Sequence, residues 1–224
     1  MEEGLRERKK RETRQRIADM AMGLFMIHGF EKVTVADVAR AADVSVNTVF
    51  NYFGTKEDLF LDRQDDAGFL PAHVVEGRLP GESVVAAFRR DFLAAIEARD
   101  WRYGLNEGAE VFTRLVAESP SLLARMRELE QVRSDNLARA LAEATDADPD
   151  DLRPRLVAGQ VLETTRLLSR QATRRTLAGE SWSEIQPWLR EQAAQAFELL
   201  EKGIGDYGQL LKSASPPTNT NIST

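Results

Sequence analysis

The sequence of 224 residues contains no cysteine, and His28 and His73 are its only histidines. Without cysteine the chain forms no disulfide bond, zinc finger or catalytic thiolate. Neither histidine belongs to a Glu-x-x-His pair of the kind found in di-iron bundles, and no serine, histidine and acid occur at a hydrolase spacing. His73-Val74-Val75-Glu76 could offer two metal ligands, but a surface histidine in a linker is the simpler prediction. We therefore expect a protein that is not an enzyme and needs no metal or other cofactor.

Long apolar runs are also missing, since no stretch approaches the roughly 20 apolar residues of a transmembrane helix. Met20 to Phe30 follows a basic segment, as the apolar part of a signal peptide does, but it lacks a small-residue cleavage site and its apolar residues recur at helical spacing. We predict a cytoplasmic protein with no membrane partner. Gly203 to Gly208 matches G-x-G-x-x-G, but no strand precedes it, which predicts a helix end rather than a nucleotide-binding loop.

Strand-like alternation is absent as well, and apolar residues recur every three or four positions between Gly81 and Gly203. The pattern predicts an all-α body with helices at about 82–99, 105–118, 120–145, 150–178 and 182–202. Ser119-Pro120 and Asp148-Pro149 each place a capping residue before a proline at a first helical position. Ser181 to Glu184 predicts a further capping box, and Pro187 is expected to restart the last helix rather than lie inside it.

Charge is distributed unevenly along the chain. The net charge is −6, yet residues 1–56 hold ten Lys/Arg and eight Asp/Glu, a balance of +2 that leaves −8 for the rest. The basic residues concentrate between Leu5 and Arg16, where there are seven against two acids: Arg6, Arg8, Lys9, Lys10, Arg11, Arg14 and Arg16. This segment is either a phosphate-seeking arm, which could reach a minor groove, or a solvated and frayed terminus.

Residues Thr34 to Lys56 have the pattern of two short helices around a tight turn. Thr34 and the acid three residues on, Asp37, predict a capping box for the first helix, with Val35, Val38, Ala39 and Ala42 on its apolar face. The chain turns at Asp43-Val44, and Ser45 is placed to cap a second helix with apolar residues Val46, Val49, Phe50 and Phe53. Gly54 ends that helix and Thr55 to Asp58 predicts the cap of the next. Together these signals predict a helix-turn-helix, a DNA-reading motif.

An amphipathic helix at about 7–27, closed by Gly29, precedes the motif. The stretch from Ile17 to Phe60, and above all GFEKVTVADVARAADVSVNTVFNYFGTKEDLF, resembles the N-terminal domain of the TetR family of bacterial transcriptional regulators. The resemblance covers about the first quarter of the chain. It implies a homodimer with an all-helical effector-binding body and repression that a small molecule relieves.

The resemblance also implies which residues contact DNA. It places Thr34 and Val35 near a phosphate and Lys56 near a further phosphate. The leading end of the recognition helix would be formed by Ser45, Val46, Asn47 and Thr48, and the residues along the groove would be Phe50, Asn51 and Tyr52. Three positions depart from the family pattern. Val46 replaces a frequent Lys or Arg and could contact a thymine methyl, although periodicity alone would bury it. Phe50 stands where tyrosine is common, and Asn47 replaces a usually small residue and can pair with adenine.

The body is predicted to hold an effector and to dimerise. An effector cavity among the helices predicted between 82 and 178 could be lined by Phe88, Phe92, Trp101, Tyr103, Phe112 and Met126. Arg114 and Arg166 are candidates for its polar partner. The last two long helices are expected to form the dimer interface as half of a four-helix bundle, through Leu162, Leu167, Leu168, Leu189, Ala193, Ala196, Phe197 and Leu200. The alternative is that these residues only close the core of one chain.

The predicted organisation is an all-α protein: a three-helix DNA-binding domain at 1–60 with its basic arm at 5–16, an effector-binding and dimerisation domain at 61–211, and a disordered tail at 212–224. Its predicted function is a repressor that binds a palindromic double-stranded operator as a homodimer and is released by a small-molecule effector. A regulator that answers to a protein partner, or an activator, is the alternative. A helical enzyme is the third hypothesis.

Overall fold

The computed structural model describes residues 4–62, 71–205 and 207–208, and over these ranges the chain is helical and contains no strand. Its helices are α1 (Leu5–His28), α2 (Val35–Ala41), α3 (Val46–Tyr52), α4 (Lys56–Phe60), α5 (Pro71–Glu76), α6 (Val84–Ala98), a 3-10 turn (Trp101–Tyr103), α7 (Ala109–Glu118), α8 (Pro120–Thr145), α9 (Arg153–Leu177) and α10 (Trp182–Ile204). The all-α prediction is confirmed. None of the helices in the described ranges has the length and apolar character needed to cross a membrane.

The first four helices form a small domain around a core of its own. Ile17, Ala21 and Phe25 of α1 are fully buried. They face Val38 of α2 and Val49 of α3 in one apolar cluster. Gly29 ends α1 at a positive φ of 85°, and its N–H donates to the Phe25 carbonyl at 2.9 Å. Glycine adopts this conformation without strain, so the chain can leave α1 sharply and bring α2 beneath it.

The body is a bundle in which α8 packs on α9, and α10 packs on both α6 and α9. Its core is the larger of the two apolar clusters, and fully buried side chains such as Phe92, Leu137 and Phe197 lie within it. The second cluster does not stop at the first domain. It continues through Val116 of α7 into Leu122 and Leu129 of α8, so both domains contribute to this second cluster.

The helix predicted to begin near 105 begins at Ala109, and two further differences from the predicted helices involve proline. α9 begins at Arg153 rather than near 150, because the preceding residues form a turn. The Asp148 carboxylate accepts from the Asp150 N–H and the Asp148 carbonyl accepts from the Asp151 N–H, both at 2.9 Å. Pro187 lies inside α10 rather than restarting it. The proline lacks the N–H that would reach the Ser183 carbonyl, but Pro187 and Ser183 are both exposed, so water can satisfy that oxygen.

Other predicted caps have mixed outcomes. Ser181 and Glu184 form the expected capping box of α10. Pro120 does open α8, but the Ser119 hydroxyl makes no capping bond and donates to Glu31 at 2.7 Å instead.

The position of His73 also differs from the prediction. This histidine was predicted in a linker and lies in the short helix α5.

Four of the eight residues predicted for the dimer interface are buried inside one chain: Leu168, Leu189, Ala193 and Phe197. They close the core of the bundle, because α10 turns this face towards α6 and α9. Leu167 remains exposed, and so do other leucines that the prediction did not include: Leu156, Leu177 and Leu199 in the same two helices, and Leu152 just before α9. The predicted tail at 212–224, and the chain between Asp62 and Pro71, lie outside the described residues.

Candidate nucleic-acid interface and internal cavity

The turn between α2 and α3 is built from short-range hydrogen bonds. The Thr34 hydroxyl accepts from the Asp37 N–H at 3.2 Å, and the Asp37 carboxylate accepts from the Thr34 N–H at 3.0 Å, which completes the predicted capping box. These bonds hold the pKa of Asp37 below its usual value, chiefly because the Thr34 hydroxyl donates to the carboxylate. Asp43 turns the chain at a φ of 52°, and Ser45 then caps α3 by accepting from the Thr48 N–H at 3.0 Å.

Helix α3 presents one side to solvent. Val49 and Phe53 are buried, but Val46 and Phe50, which periodicity placed on the same apolar face, are 38% and 50% exposed. Ser45, Asn47 and Asn51 are exposed beside them, while Thr48 and Tyr52 are half-buried. Val46 therefore does not belong to the core, since α1 and α2 cover only the Val49 side of this short helix. The exposed side combines amide groups with two apolar side chains, which suits base edges and thymine methyls.

The remaining predicted DNA-contacting residues lie at helix starts. Thr34 is the exposed N-cap of α2, and Val35 is half-buried against the core of the domain. Lys56 opens α4, and its ammonium lies 4.1 Å from the ring centroid of Phe30. This cation–π contact holds the lysine at the surface without neutralising it, so the charge stays available to an anion. All ten predicted residues thus lie within α2, α3, their caps and the first residue of α4.

The basic segment is helical, because α1 begins at Leu5 and no extended arm occurs from Gly4 onward. One of its arginines has a structural role that the sequence did not indicate. Arg14 donates to the Tyr52 carbonyl at 2.8 Å and to the Asp62 carboxylate, and its guanidinium lies 4.6 Å from the Phe53 ring centroid. Arg14 therefore fixes the end of α3 against α1. Its partners are 38 and 48 residues away, so no local pattern marks them.

Three contacts join this domain to the body. The Phe60 ring of α4 stacks on Phe112 of α7, with centroids 4.9 Å apart and planes 11° apart. Asp58 accepts from Arg125 of α8 at 2.8 Å. The backbone N–H of Asp58 donates to the Thr55 hydroxyl, so Thr55 caps α4 as predicted. The third contact is the bond from Ser119 to Glu31. A displacement of α7 would reach α4 through the stacked rings, and a displacement of α8 would reach it through the ion pair.

A cavity of about 970 Å³ lies in the body next to α1. Six of the eight residues predicted for the effector cavity line it: Phe88, Trp101, Tyr103, Phe112, Met126 and Arg166. Phe92 does not, because it is fully buried and the Tyr103 ring lies 5.0 Å from its own. Arg114 is exposed and is not part of the wall. Met22 and Met26 of α1 also line the cavity, so the first domain contributes directly to the site.

The polar groups of the wall differ in how far they are already satisfied. The Tyr103 hydroxyl donates to Asp91 at 2.7 Å, and burial raises the pKa of this hydroxyl well above its usual value. Arg166 pairs with Glu163 and, at 3.4 Å, with Glu130. The Ser169 hydroxyl is buried and has no hydrogen-bond partner among the described residues. No group of three or more potential metal ligands occurs in the described part of the chain.

Comparison with known proteins agrees with this arrangement. Residues 17–62 match the family described as "Bacterial regulatory proteins, tetR family". The HTH-type transcriptional regulator TcmR of Streptomyces glaucescens is 35% identical over 175 residues, which cover 75% of this chain and 76% of TcmR. The chain belongs to the TetR family. It is therefore a DNA-binding transcriptional regulator, and α2 and α3 are the helix-turn-helix of a TetR-family protein.

Solved structures of other regulators share the fold. NalD of Pseudomonas aeruginosa, described as the secondary repressor of the MexAB-OprM efflux pump, superposes with a TM-score of 0.55 at 17% identity, over 84% of this chain and 97% of NalD. FadR of Bacillus subtilis, solved with stearoyl-CoA, superposes with a TM-score of 0.52 at 16% identity, over 85% of this chain and 98% of FadR. These relatives are transcriptional regulators rather than enzymes, and the TetR-family architecture extends over most of the chain.

Proposed function

We propose that this TetR-family protein represses transcription by binding a palindromic operator as a homodimer, and that a small molecule bound in the body releases it. One observation carries the proposal: the effector cavity is walled in part by Met22 and Met26 of α1, a helix of the DNA-binding domain itself. A ligand there contacts both domains at once. The ligand-bound FadR structure shows that the same fold accommodates a small molecule.

Release would follow from linkage between the two sites. If a ligand binds the arrangement that does not fit DNA about a hundredfold better, operator affinity falls by the same factor, or ~2.7 kcal/mol of coupling. Phe112 lines the cavity and stacks on Phe60 of α4, and Arg125 of α8 holds Asp58 of the same helix. We propose that a small shift of α4 misaligns the two recognition helices of the dimer with their major grooves.

The dimer would supply the two half-sites of the operator, as helix-turn-helix dimers generally do. We propose that α9 and α10 form the interface, since both are long and carry exposed leucines: Leu156 and Leu167 on α9, and Leu199 on α10. A leucine that is 72% exposed, as Leu199 is, loses contact with water on dimerisation and stabilises the complex by the hydrophobic effect.

At the DNA surface, Ser45, Val46, Asn47 and Thr48 would contact bases. Phe50, Asn51 and Tyr52 would lie along the groove, and Thr34, Val35 and Lys56 would lie near phosphates. Asn47 is exposed at the leading end of α3 and can bond to the edge of adenine. Lys56, held over Phe30, would bind a phosphate as a point charge.

The test starts from operator fragments selected from the source genome by the full-length protein. Lys56→Ala should weaken binding to every DNA and lower the slope of log affinity against log salt by about one, the share of one phosphate. Asn47→Ala should instead change which sequences are preferred. Arg139→Ala, an exposed arginine on α8 away from the cavity wall, is the matched control and should leave both measurements unchanged. If neither Lys56→Ala nor Asn47→Ala alters DNA binding, the assignment of this surface is wrong.

The direction of regulation follows from where the operator lies. An operator that overlaps the promoter, with transcription rising when the protein is deleted, supports repression. An operator upstream of the promoter, with transcription falling on deletion, would identify an activator instead.

A further inference from the structure

The cavity wall has an apolar part that would accept the body of a ligand. Met22 and Met26 come from α1, Phe112 from α7, and Leu123 and Met126 from α8. Methionine side chains adapt to the shape of a flat or branched ligand, and Phe112 offers a ring face. This part of the wall lies on the side of the DNA-binding domain.

The charged residues of the same wall are unbalanced, with six arginines and three glutamates in a chain whose net charge is −6. Some of these arginines are already paired. Arg166 contacts both Glu130 and Glu163, and Arg102 bonds to Asp100. Arg127, Arg170 and Arg174, in contrast, have no ion-pair or side-chain hydrogen-bond partner within residues 4–62, 71–205 and 207–208. We refer to them as the arginine cluster.

The helix register brings the arginine cluster to one end of the cavity. α8 and α9 are joined by the short connection 146–152 and pack along each other as an antiparallel hairpin, with Glu130 opposite Arg166. Arg127 precedes Glu130 by about one helical turn, and Arg170 and Arg174 follow Arg166 by one and two turns. All three therefore lie towards the start of α8, beside the apolar part formed with α1.

Two further features favour the binding of a ligand at this end of the cavity. Arg170 and Arg174 are four residues apart on α9, where like charges destabilise a helix, and an anion bound between them would relieve this repulsion. Ser169, next to Arg170, lines the cavity with a buried hydroxyl that has no partner among the described residues. Buried hydroxyls are normally hydrogen-bonded, and a ligand oxygen would complete this one.

We propose that the effector is an amphipathic organic anion: a carboxylate or phosphate group binds the arginine cluster, and an apolar body packs against Met22, Met26, Phe112 and Met126. The proposal rests on the proposed function, because it gives the chemical class of the effector for that cavity. Planar guanidinium groups bind carboxylate and phosphate oxygens through paired N–H donors and stay charged at every physiological pH. The anion would be held within reach of α1, where it can affect the DNA-binding domain.

The experiment uses the full-length protein and four probes that share a naphthalene body: 1-naphthaleneacetate, 1-naphthyl phosphate, 1-naphthalenemethanol and 1-naphthalenemethylamine. Isothermal titration calorimetry should show at least one anion binding at least tenfold more tightly than the alcohol and the amine, and the preference should shrink as salt is added. The ratio between carboxylate and phosphate then tells which kind of acid the cluster favours.

Variants separate the cluster from the rest of the wall. Arg170→Gln/Arg174→Gln should lose at least tenfold in affinity for the anion and keep its affinity for the alcohol, whereas Arg170→Lys/Arg174→Lys should retain most of the preference. Arg155→Gln, an exposed arginine of α9 outside the wall, should behave as the wild type. All substituted side chains are exposed, so the fold is expected to persist and circular dichroism confirms it.

The inference is overturned if no probe binds, if the alcohol or the amine binds as tightly as both anions, or if the double glutamine variant binds anions like the wild type. Operator binding and release are measured on the same preparations. If the protein binds its operator and a neutral or cationic molecule releases it, the anion inference fails and the proposed function stands. If the protein binds no specific DNA, the proposed function fails whatever the probes do.

Discussion

Replacing Phe60 with alanine tests whether the DNA-binding domain and the helical body unfold as one unit. Phe60 is fully buried, and its ring centroid lies 5.6 Å from that of Phe25, 5.5 Å from Phe30 and 4.9 Å from Phe112. The first two rings belong to the DNA-binding domain and the third to the body. The substitution therefore removes the central member of an aromatic group that spans both domains.

The expected loss is large on the scale of protein stability. A buried phenylalanine replaced by alanine costs about 3–5 kcal/mol, and three aromatic neighbours favour the upper part of that range. Domains are stable by only about 5–15 kcal/mol, so roughly a quarter or more of the total would be lost. With a denaturant slope of about 3 kcal/mol/M, a loss of about 4 kcal/mol lowers the urea midpoint by about 1.3 M.

The positions of the tryptophans make the assay specific for each domain. Trp101, Trp182 and Trp188 all lie in the body, so their fluorescence reports its unfolding, whereas far-ultraviolet circular dichroism reports all helices. In Phe60→Ala both signals should shift together to the lower midpoint. Protein concentration is held constant, because dimerisation would couple stability to it.

Phe50→Ala is the matched control, since it is the same substitution in the same domain on a ring that is half exposed. Its free energy of unfolding should change by about 0.5 kcal/mol or less, while operator binding weakens. If Phe60→Ala leaves the tryptophan midpoint at the wild-type value and an earlier transition appears only in circular dichroism, the domains unfold separately. The apolar cluster to which both domains contribute would then not couple their unfolding.

Two further predictions concern polar contacts. In a double-mutant cycle of unfolding, Asp58→Asn and Arg125→Gln should show a coupling of about 0.5 kcal/mol. The coupling is small because the side chains are 27% and 35% exposed and solvent screens the ion pair. Zero coupling would show that this ion pair does not stabilise the contact between the domains. Asp37→Asn should lower the melting temperature at neutral pH. The bonds from Thr34 lower the folded pKa of Asp37, so its stabilisation is present above the unfolded pKa and is lost as pH falls through the folded pKa. The difference from wild type should therefore shrink as the pH falls below the usual pKa of an aspartate, and a difference that stays constant with pH would contradict this origin.

The helix-turn-helix could be predicted because its signals are local. Thr34 bonds to Asp37, and Ser45 to Thr48, over three residues, so the sequence itself contains both partners of each cap. The exposure of Val46 and Phe50 could not be predicted from neighbouring residues in the sequence. Helical spacing shows which residues share a side of α3, but what lies against that side depends on where α1 and α2 pack.

The residues of the cavity wall divide in the same way, into those that the sequence predicts and those that only helix packing determines. Aromatic residues of α6 and α7 were reasonable candidates, and Phe88 and Phe112 do line the wall. Phe92 lies one turn from Phe88 on the same helix, yet it is not part of the wall and packs edge-to-face with Tyr103, which is. Met22 and Met26 were not predicted, because the sequence showed α1 only as an amphipathic helix before the motif and the cavity was expected among the helices between 82 and 178.

By itself, the sequence determined the all-helical architecture, the capped turn that presents α3, and membership of a family of DNA-binding regulators, because periodicity and capping act over a few neighbouring residues. Tertiary structure alone decided that Phe60 meets Phe112, that Asp58 meets Arg125, and that α1 closes the cavity. Such contacts form between residues far apart in the chain, and their positions follow from how whole helices pack. The connection between reading DNA and holding an effector lies in these contacts.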